Sequence, residues 1–148
     1  MTCKKVVATV VAIALATGCA TVSQPETTSW INPGQAVLRA SAAPRLGVTG
    51  VFALTVKATG RTDKVHLNSE RDYRDPRNLS VAVMPGAAAE LQALLKSPPE
   101  VALRGKRILV AGTARRVRID FIVDDKPSGK YYYQTHVRVT DASQIQVL

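Results

Sequence analysis

Cysteine is scarce. The chain has two in 148 residues, Cys3 and Cys19, and everything beyond Cys19 is free of thiols. That excludes a disulfide framework and a thiolate-rich zinc site for the bulk of the chain. Histidine is equally sparse: His66 and His136 lie far apart in sequence, and two imidazoles without a patterned carboxylate make a poor metal set. The longest apolar run, Val6 to Ala16, falls short of the about 20 residues a membrane-spanning helix needs. No nucleophile elbow, phosphate loop, dinucleotide fingerprint or zinc-helix motif is present. Serines are available, but none stands beside a base and oxyanion donors. These absences weigh against an enzyme, and no cofactor is implied.

What is present begins at the N-terminus. Lys4 and Lys5 precede the apolar run, and Thr17 and Gly18 are small residues directly before Cys19. A basic segment, an apolar segment and a small-residue site make up a secretory signal peptide. With a cysteine directly after Gly18, residues 1–19 resemble a bacterial lipoprotein signal, although Ala16 stands where that family usually has a larger aliphatic. The resemblance implies removal of residues 1–18 and lipidation of Cys19 as the mature first residue. Ala20, where an Asp would favour inner-membrane retention, implies the periplasmic face of the outer membrane. Acyl chains on one cysteine, at about 0.8 kcal/mol per buried methylene, suffice for stable anchoring.

Residues 19–33 are mostly small and polar, with prolines near both ends, and read as a tether. Trp30 and Ile31 are its exceptions, expected to dock on the domain that follows. Residues 34–148 are long enough for one domain with a real core. The whole chain carries +9, and losing Lys4 and Lys5 leaves 18 basic against 11 acidic residues, or +7. Nine basic and four acidic residues lie within 104–148, so much of the excess sits there. Such a surface favours anionic polymers or anionic head groups.

Period-two alternation marks strands. Leu46–Lys57 places Val48, Phe52, Leu54 and Val56 on one side. Thr59–Asp63 is expected to turn, Lys64–Asn68 to form a short strand and Leu79–Met84 another. Ala87–Lys96 carries Ala88, Leu91 and Leu95 at helical spacing, and Ser97-Pro98-Pro99 stops it. Lys106–Val123 is the longest strand signal, but Ile108 and Val110 sit in one phase while Val117, Ile119 and Phe121 sit in the other. A bulge or bend near Gly112 is the expected remedy. Residues 124–130 are expected to turn, and Tyr131–Thr140 to return. The expected core is Val48, Phe52, Leu54, Val56, Leu79, Val81, Val83, Leu91, Leu95, Ile108, Val110, Ile119, Phe121, Val137 and Val139.

Three strands, a helix and two strands is the order of a five-stranded OB barrel, with its helix between strands three and four. The runs Gly105–Ala114 and Val139–Ile145, with Leu67–Glu70 leading into Asp72–Asp75, resemble secreted OB-fold-like domains over residues 46–148. The expected class is therefore mainly β, a small OB-like barrel, with a split sandwich or open barrel as the competing architecture.

Arg115, Arg116 and Arg118, with Tyr132, His136 and Arg138 on the neighbouring strand, are expected to form one basic face with an aromatic. Glu70, Arg71 and Arg74 belong to a mixed-charge loop that could rim a ligand. The bland reading of that loop is a solvated set of local ion pairs, and its spacing does not suit calcium. On OB barrels, oligonucleotides lie over strands two and three, which here contain no aromatic, so nucleic acid is the less expected ligand. The reading that emerges is an outer-membrane lipoprotein carrying a non-catalytic binding module for an anionic ligand or an envelope partner. The alternative is an assembly component of an envelope complex.

Overall fold

Alternation around Phe52 drives the first strand inward. In the computed structural model, which describes residues 29–148, β1 (Val48–Thr55) buries Phe52 and Leu54. The chain continues through β2 (Ala58–Arg61), β3 (Val65–Asn68) and β4 (Leu79–Val83). A helix (Pro85–Leu95) and a one-turn helix (Pro99–Ala102) follow. Then come β5 (Arg107–Val123), β6 (Lys126–Val139) and the short β7 (Ile145–Val147). The expected leader, Cys19 and most of the expected tether lie outside the described residues.

Strand pairing closes a barrel. β1 pairs antiparallel with β5, β5 with β6, β4 with β3 and β3 with β2, while β6 runs parallel to β4. β1 and β2 are two halves of one bent strand. The Val56 amide donates to the Lys106 carbonyl at 2.9 Å and its carbonyl accepts from Gly105 at 2.8 Å. One residue on, the Lys57 amide donates to the Asn68 carbonyl at 2.9 Å. Within two residues the backbone thus exchanges β5 for β3 as its partner. Counting the bent strand once gives a five-stranded OB-like barrel, with the Pro85–Leu95 helix between its third and fourth strands. The turn expected at Thr59–Asp63 is shifted: Ala58–Arg61 is strand, and the chain reverses after it.

A helix that alternation could not announce precedes the barrel, and we call it α1 (Pro33–Ala42), with Pro85–Leu95 as α2 and Pro99–Ala102 as α3. Its start is a capping box: the Asn32 side chain accepts from the Gln35 amide at 2.9 Å, and the Gln35 side chain accepts from the Asn32 amide. Pro33 fits the first turn, where its missing N–H is not needed. Ala36 and Ala40, one turn apart, are fully buried against the barrel. Just upstream, Ile31 is buried; its amide donates to Val51 and its carbonyl accepts from Ala53. A Cβ on Gly50 would come within 2.8 Å of Ile31 Cδ1, so a glycine there makes room for the docked side chain. Among the described residues packing therefore begins at Ile31, inside the stretch expected to be tether, while Trp30 stays half exposed.

The core holds the expected Phe52, Leu54, Val56, Leu79, Val81, Val83, Leu91, Ile108, Val110, Val137 and Val139, with Val48 and Leu95 packed against its margin. Val65, Leu67 and Leu103 complete it. Ile119 and Phe121 do not belong, and Phe121 is 45% exposed. The bulge expected near Gly112 is also absent: β5 keeps one register with β1 from Arg107 to Ala114, and with β6 from Ala114 to Asp120. The phase change has another cause. β5 and β6 run on past the barrel as a two-stranded arm, where the inward-pointing positions no longer meet a core. Arg116 and Arg118 take those positions, and the apolar residues move to the outer face. The arm turns on Asp124 and Asp125, both at positive φ (50° and 59°), a two-residue hairpin turn of the primed kind. β6 consequently starts at Lys126 rather than Tyr131, with an irregularity where Ser128–Lys130 face Phe121.

One buried side chain ties the β3–β4 loop to the barrel. Asn78 donates to Asn68 Oδ1 at 3.1 Å and to the Tyr73 carbonyl at 3.3 Å, and accepts from the Glu70 amide at 3.1 Å. Replacing Asn78 with Leu leaves these groups without that partner, at a cost of about 1–3 kcal/mol. Urea unfolding should show a lower midpoint with an unchanged slope, and limited proteolysis should cut first within Glu70–Arg77.

Candidate ligand groove

On the outer face of the barrel, β3, β4 and β6 floor a recess walled by β2, the β3–β4 loop and β5. Ser80 stands beside His136 and His66 beside Ala82 in the cross-strand register, and Ala82 in turn beside Arg138. The β5 partners on the same face are Arg115 opposite His136, Val117 opposite Gln134 and Ile119 opposite Tyr132. Two depressions meet here, of about 680 and 670 Å³, sharing Lys64, Val117 and His136 in their walls. Tyr73 and Arg71 of the β3–β4 loop enclose the first, and Arg115 and Arg138 line the second.

The floor is a chain of hydrogen bonds. Gln134 donates to the Tyr132 hydroxyl at 2.9 Å and, through its carbonyl oxygen, engages His136 Nε2 at 2.7 Å. That polarity makes Nε2 the protonated nitrogen of His136. His66 packs edge-on to His136, with ring centroids 5.9 Å apart, and its Nδ1 lies 3.3 Å from Ser80 Oγ. Burial first, then the neighbouring His66 and Lys64, push the His136 imidazole down to about 4 from its ordinary 6.5. Burial and Lys64 also lower His66. Both rings are neutral near pH 7. Ser80 and His66 have the outline of a nucleophile and base, but Ser80 is buried in the middle of β4, which is paired along both edges. Its neighbouring amides are committed to the sheet, so no oxyanion site faces it. Among the described residues no three His, Cys, Asp or Glu side chains converge as a metal would require.

The electrostatics are one-sided. Among the described residues, neither depression has an acidic residue in its wall. Arg61 is neutralised from outside by Glu100, which grips it at 2.6 and 2.8 Å. Lys64, Arg71, Arg115 and Arg138 supply the remaining positive charge. Lys64 is bridged to Asp63, while Arg115 donates to the Arg45 carbonyl at 2.8 Å.

The single basic face expected from sequence is divided by strand alternation. Arg115, Tyr132, His136 and Arg138 belong to the groove side. Arg116 and Arg118 lie on the opposite side of the arm, stacked on Tyr133 and Tyr131 at 3.6 and 4.1 Å. The loop residues are divided too. Arg71 reaches the groove, Glu70 turns away to Lys57 at 2.8 Å, and Arg74 stacks on Tyr73 at 5.2 Å. Arg77 binds Asp75 and holds that carboxyl down to about 2, a local pair of the bland kind. Lys64, Asn68, Tyr73, Ser80 and Gln134 line the groove without having been singled out from sequence. Asn68 and Ser80 lie on β3 and β4 and Gln134 on β6, while Lys64 just precedes β3 and Tyr73 is in the loop. Strand register, which sequence does not give, brings them together.

No protein-family model matches this sequence, and no curated protein matches it significantly. Among solved structures, the chain is similar to a protein assigned as an aspartyl-tRNA synthetase from Leishmania major Friedlin, at TM-score 0.42 and 12% identity. That match covers 86% of this chain and 22% of the other. It is also similar to the aspartyl-tRNA synthetase from Entamoeba histolytica, at TM-score 0.43 and 14% identity, over 85% of this chain and 23% of that one. The chain thus spans less than a quarter of either structure's length.

His136 predicts an acid-side loss of stability. Its folded value lies below its unfolded one, so the unfolded chain takes up a proton first as pH falls below about 6.5. Stability present above that pH drains as pH approaches the folded value. The loss by pH 4.5 should be of the order of 2 kcal/mol. Denaturant unfolding of the His136→Gln variant should show a distinctly flatter dependence between pH 7 and 4.5.

Proposed function

We propose that this chain is a lipid-anchored envelope protein, held through Cys19 at the periplasmic face of the outer membrane, and that its barrel binds an extended anionic polymer without catalysis. The observation that carries the ligand reading is the groove's acid-free wall. The walls of the two joined depressions carry five cationic side chains and no carboxylate among the described residues, with Arg61 and Lys64 paired from outside to Glu100 and Asp63. Fixed positive charge against a low-dielectric wall attracts polyanions over a longer range than a flat surface does. The middle of the track has a different character. Neutral His66 and His136, Gln134 and Tyr132 offer hydrogen bonds rather than charge, which suits a polymer whose anionic groups are spaced by polar units. A hydrolytic reading lacks an accessible nucleophile with oxyanion donors, since Ser80 is locked into the sheet.

The address rests on residues 1–19 and their resemblance to lipoprotein signals. Mass spectrometry of the membrane-extracted protein should find a mature chain starting at acylated Cys19, and Cys19→Ser should release the protein from membranes. An unacylated mature chain removes the anchor from this account. The ligand reading is tested with heparin and with lipopolysaccharide as probes. Replacing Lys64, Arg71, Arg115 and Arg138 together with Ser should weaken binding at least tenfold and flatten its salt dependence. Replacing Arg116 and Arg118 with Ser should change it less than twofold. Equal losses from the two sets would mean that general basicity, and not the groove, does the binding.

A further inference from the structure

The arm leaves one strand edge open. β1 covers β5 as far as Ala114, and among the described residues nothing pairs with that edge from Arg115 to Val123. The arm's other edge, on β6, is blunted by Pro127 and by the irregularity at Ser128–Lys130, two devices that discourage strand addition. The β5 edge has neither. Its sequence from Arg116 to Ile122 is rich in β-branched and aromatic residues, and Phe121, Ile122 and Val123 are 45%, 59% and 58% exposed. A long, regular, partly apolar edge is a template for another strand.

We infer that this edge pairs antiparallel with the same edge of a second copy of the chain, about a two-fold axis at Ile119. Overlap and charge set the register: Ile119 is the midpoint of the unpaired stretch from Arg115 to Val123, so an axis there pairs its whole length. A two-fold pair of antiparallel strands has its axis normal to the sheet, so opposed residues share a face and the axis passes through a residue. With the axis at Ile119, Arg118 of each copy faces Asp120 of the other, Val117 faces Phe121, and Arg116 faces Ile122. Moving the axis to Arg118 sets arginine against arginine, and moving it to Asp120 sets aspartate against aspartate. Directly opposed like charges are unfavourable across strands. Within one chain Arg118 and Asp120 already bridge at 2.8 Å with much of each side chain exposed, so both are held at the edge where the second copy's pair would meet them. Val117 and Ile119 also line the groove. The pairing therefore sets the grooves of two copies side by side on one continuous sheet face, with Phe121 of the second copy against Val117.

The test uses the whole chain, co-expressed with two different C-terminal tags and solubilised from membranes. Capture through one tag should recover the other copy. Arg118→Asp alone opposes two acidic pairs and Asp120→Arg alone opposes two basic pairs; each should lower recovery at least tenfold. The double variant restores opposite charges in the same register and should return recovery to within twofold of the original. Each single reversal also breaks the bridge within its own chain, which the double variant restores. Co-expressing Arg118→Asp with Asp120→Arg keeps both internal bridges broken, opposes unlike charges between copies, and should recover within twofold of the original. The inference is overturned if original copies do not co-purify, if either single reversal co-purifies as well as the original, or if the double variant stays as low as the singles. It does not depend on the groove binding a polyanion, and heparin binding by the charge-reversal variants reports that question separately.

Discussion

The structure depends on the exchange of partners at Val56 and Lys57. A flat sheet of these short strands would leave two edges and a half-covered hydrophobic face. By bonding to Lys106 and Gly105 on one residue and to Asn68 on the next, the chain turns a row of strands into a ring. Closure is what removes the edges and lets short segments such as β3 and β4 be fully buried inward. The groove lies outside that ring, where β2, the β3–β4 loop and β5 stand around a floor made by β3, β4 and β6. Ser80, His66 and His136 come from three different strands and meet because the ring brings those strands side by side.

Closure also explains where the barrel stops being a barrel. β5 and β6 are much longer than their partners, so their ends leave the ring with nothing to enclose. The same alternation that delivers Ile108, Val110 and Ala114 to the core then delivers Arg116 and Arg118 to water. Their stacking on Tyr133 and Tyr131 gives the arm a cation–aromatic ladder on that side, worth something over and above the ribbon's own hydrogen bonds. The groove side keeps the apolar residues and the imidazoles. One strand thus serves as core, groove wall and free edge along its length.

Much of the fold was legible because alternation is a direct statement about burial. Phe52, Leu54, Val81, Val83 and Val139 were identified by it, and the helix after Pro85 by its spacing and its proline stop. The failures have a common origin. Ile119 and Phe121 carry a sound strand pattern, but a pattern says which side of a strand is apolar and not whether that side meets the core. The reversed phase at Val117 was read as a defect in the strand when it marked the strand's departure from the barrel. α1 escaped because its buried face is made of alanines, Ala36 and Ala40, which carry little hydrophobic signal. Its capping pair, Asn32 and Gln35, was the clue. For the groove, His136, Tyr132, Arg115 and Arg138 were visible as neighbours on paired strands. Lys64, Ser80 and Asn68 were not, since they reach the site through register, and register is decided across the sheet.

Ile31 has a consequence for the protein's reach. Because it is sewn to Val51 and Ala53, twelve residue steps separate the packed backbone from the anchor point proposed at Cys19. No chain of that length reaches beyond about 40 Å. On the proposed anchoring, the barrel works within a thin layer against the membrane, where diffusion is effectively two-dimensional and encounters scale with surface density. A polymer rising from the same membrane would be met repeatedly, whereas one free in the compartment would be met only as it brushed that layer.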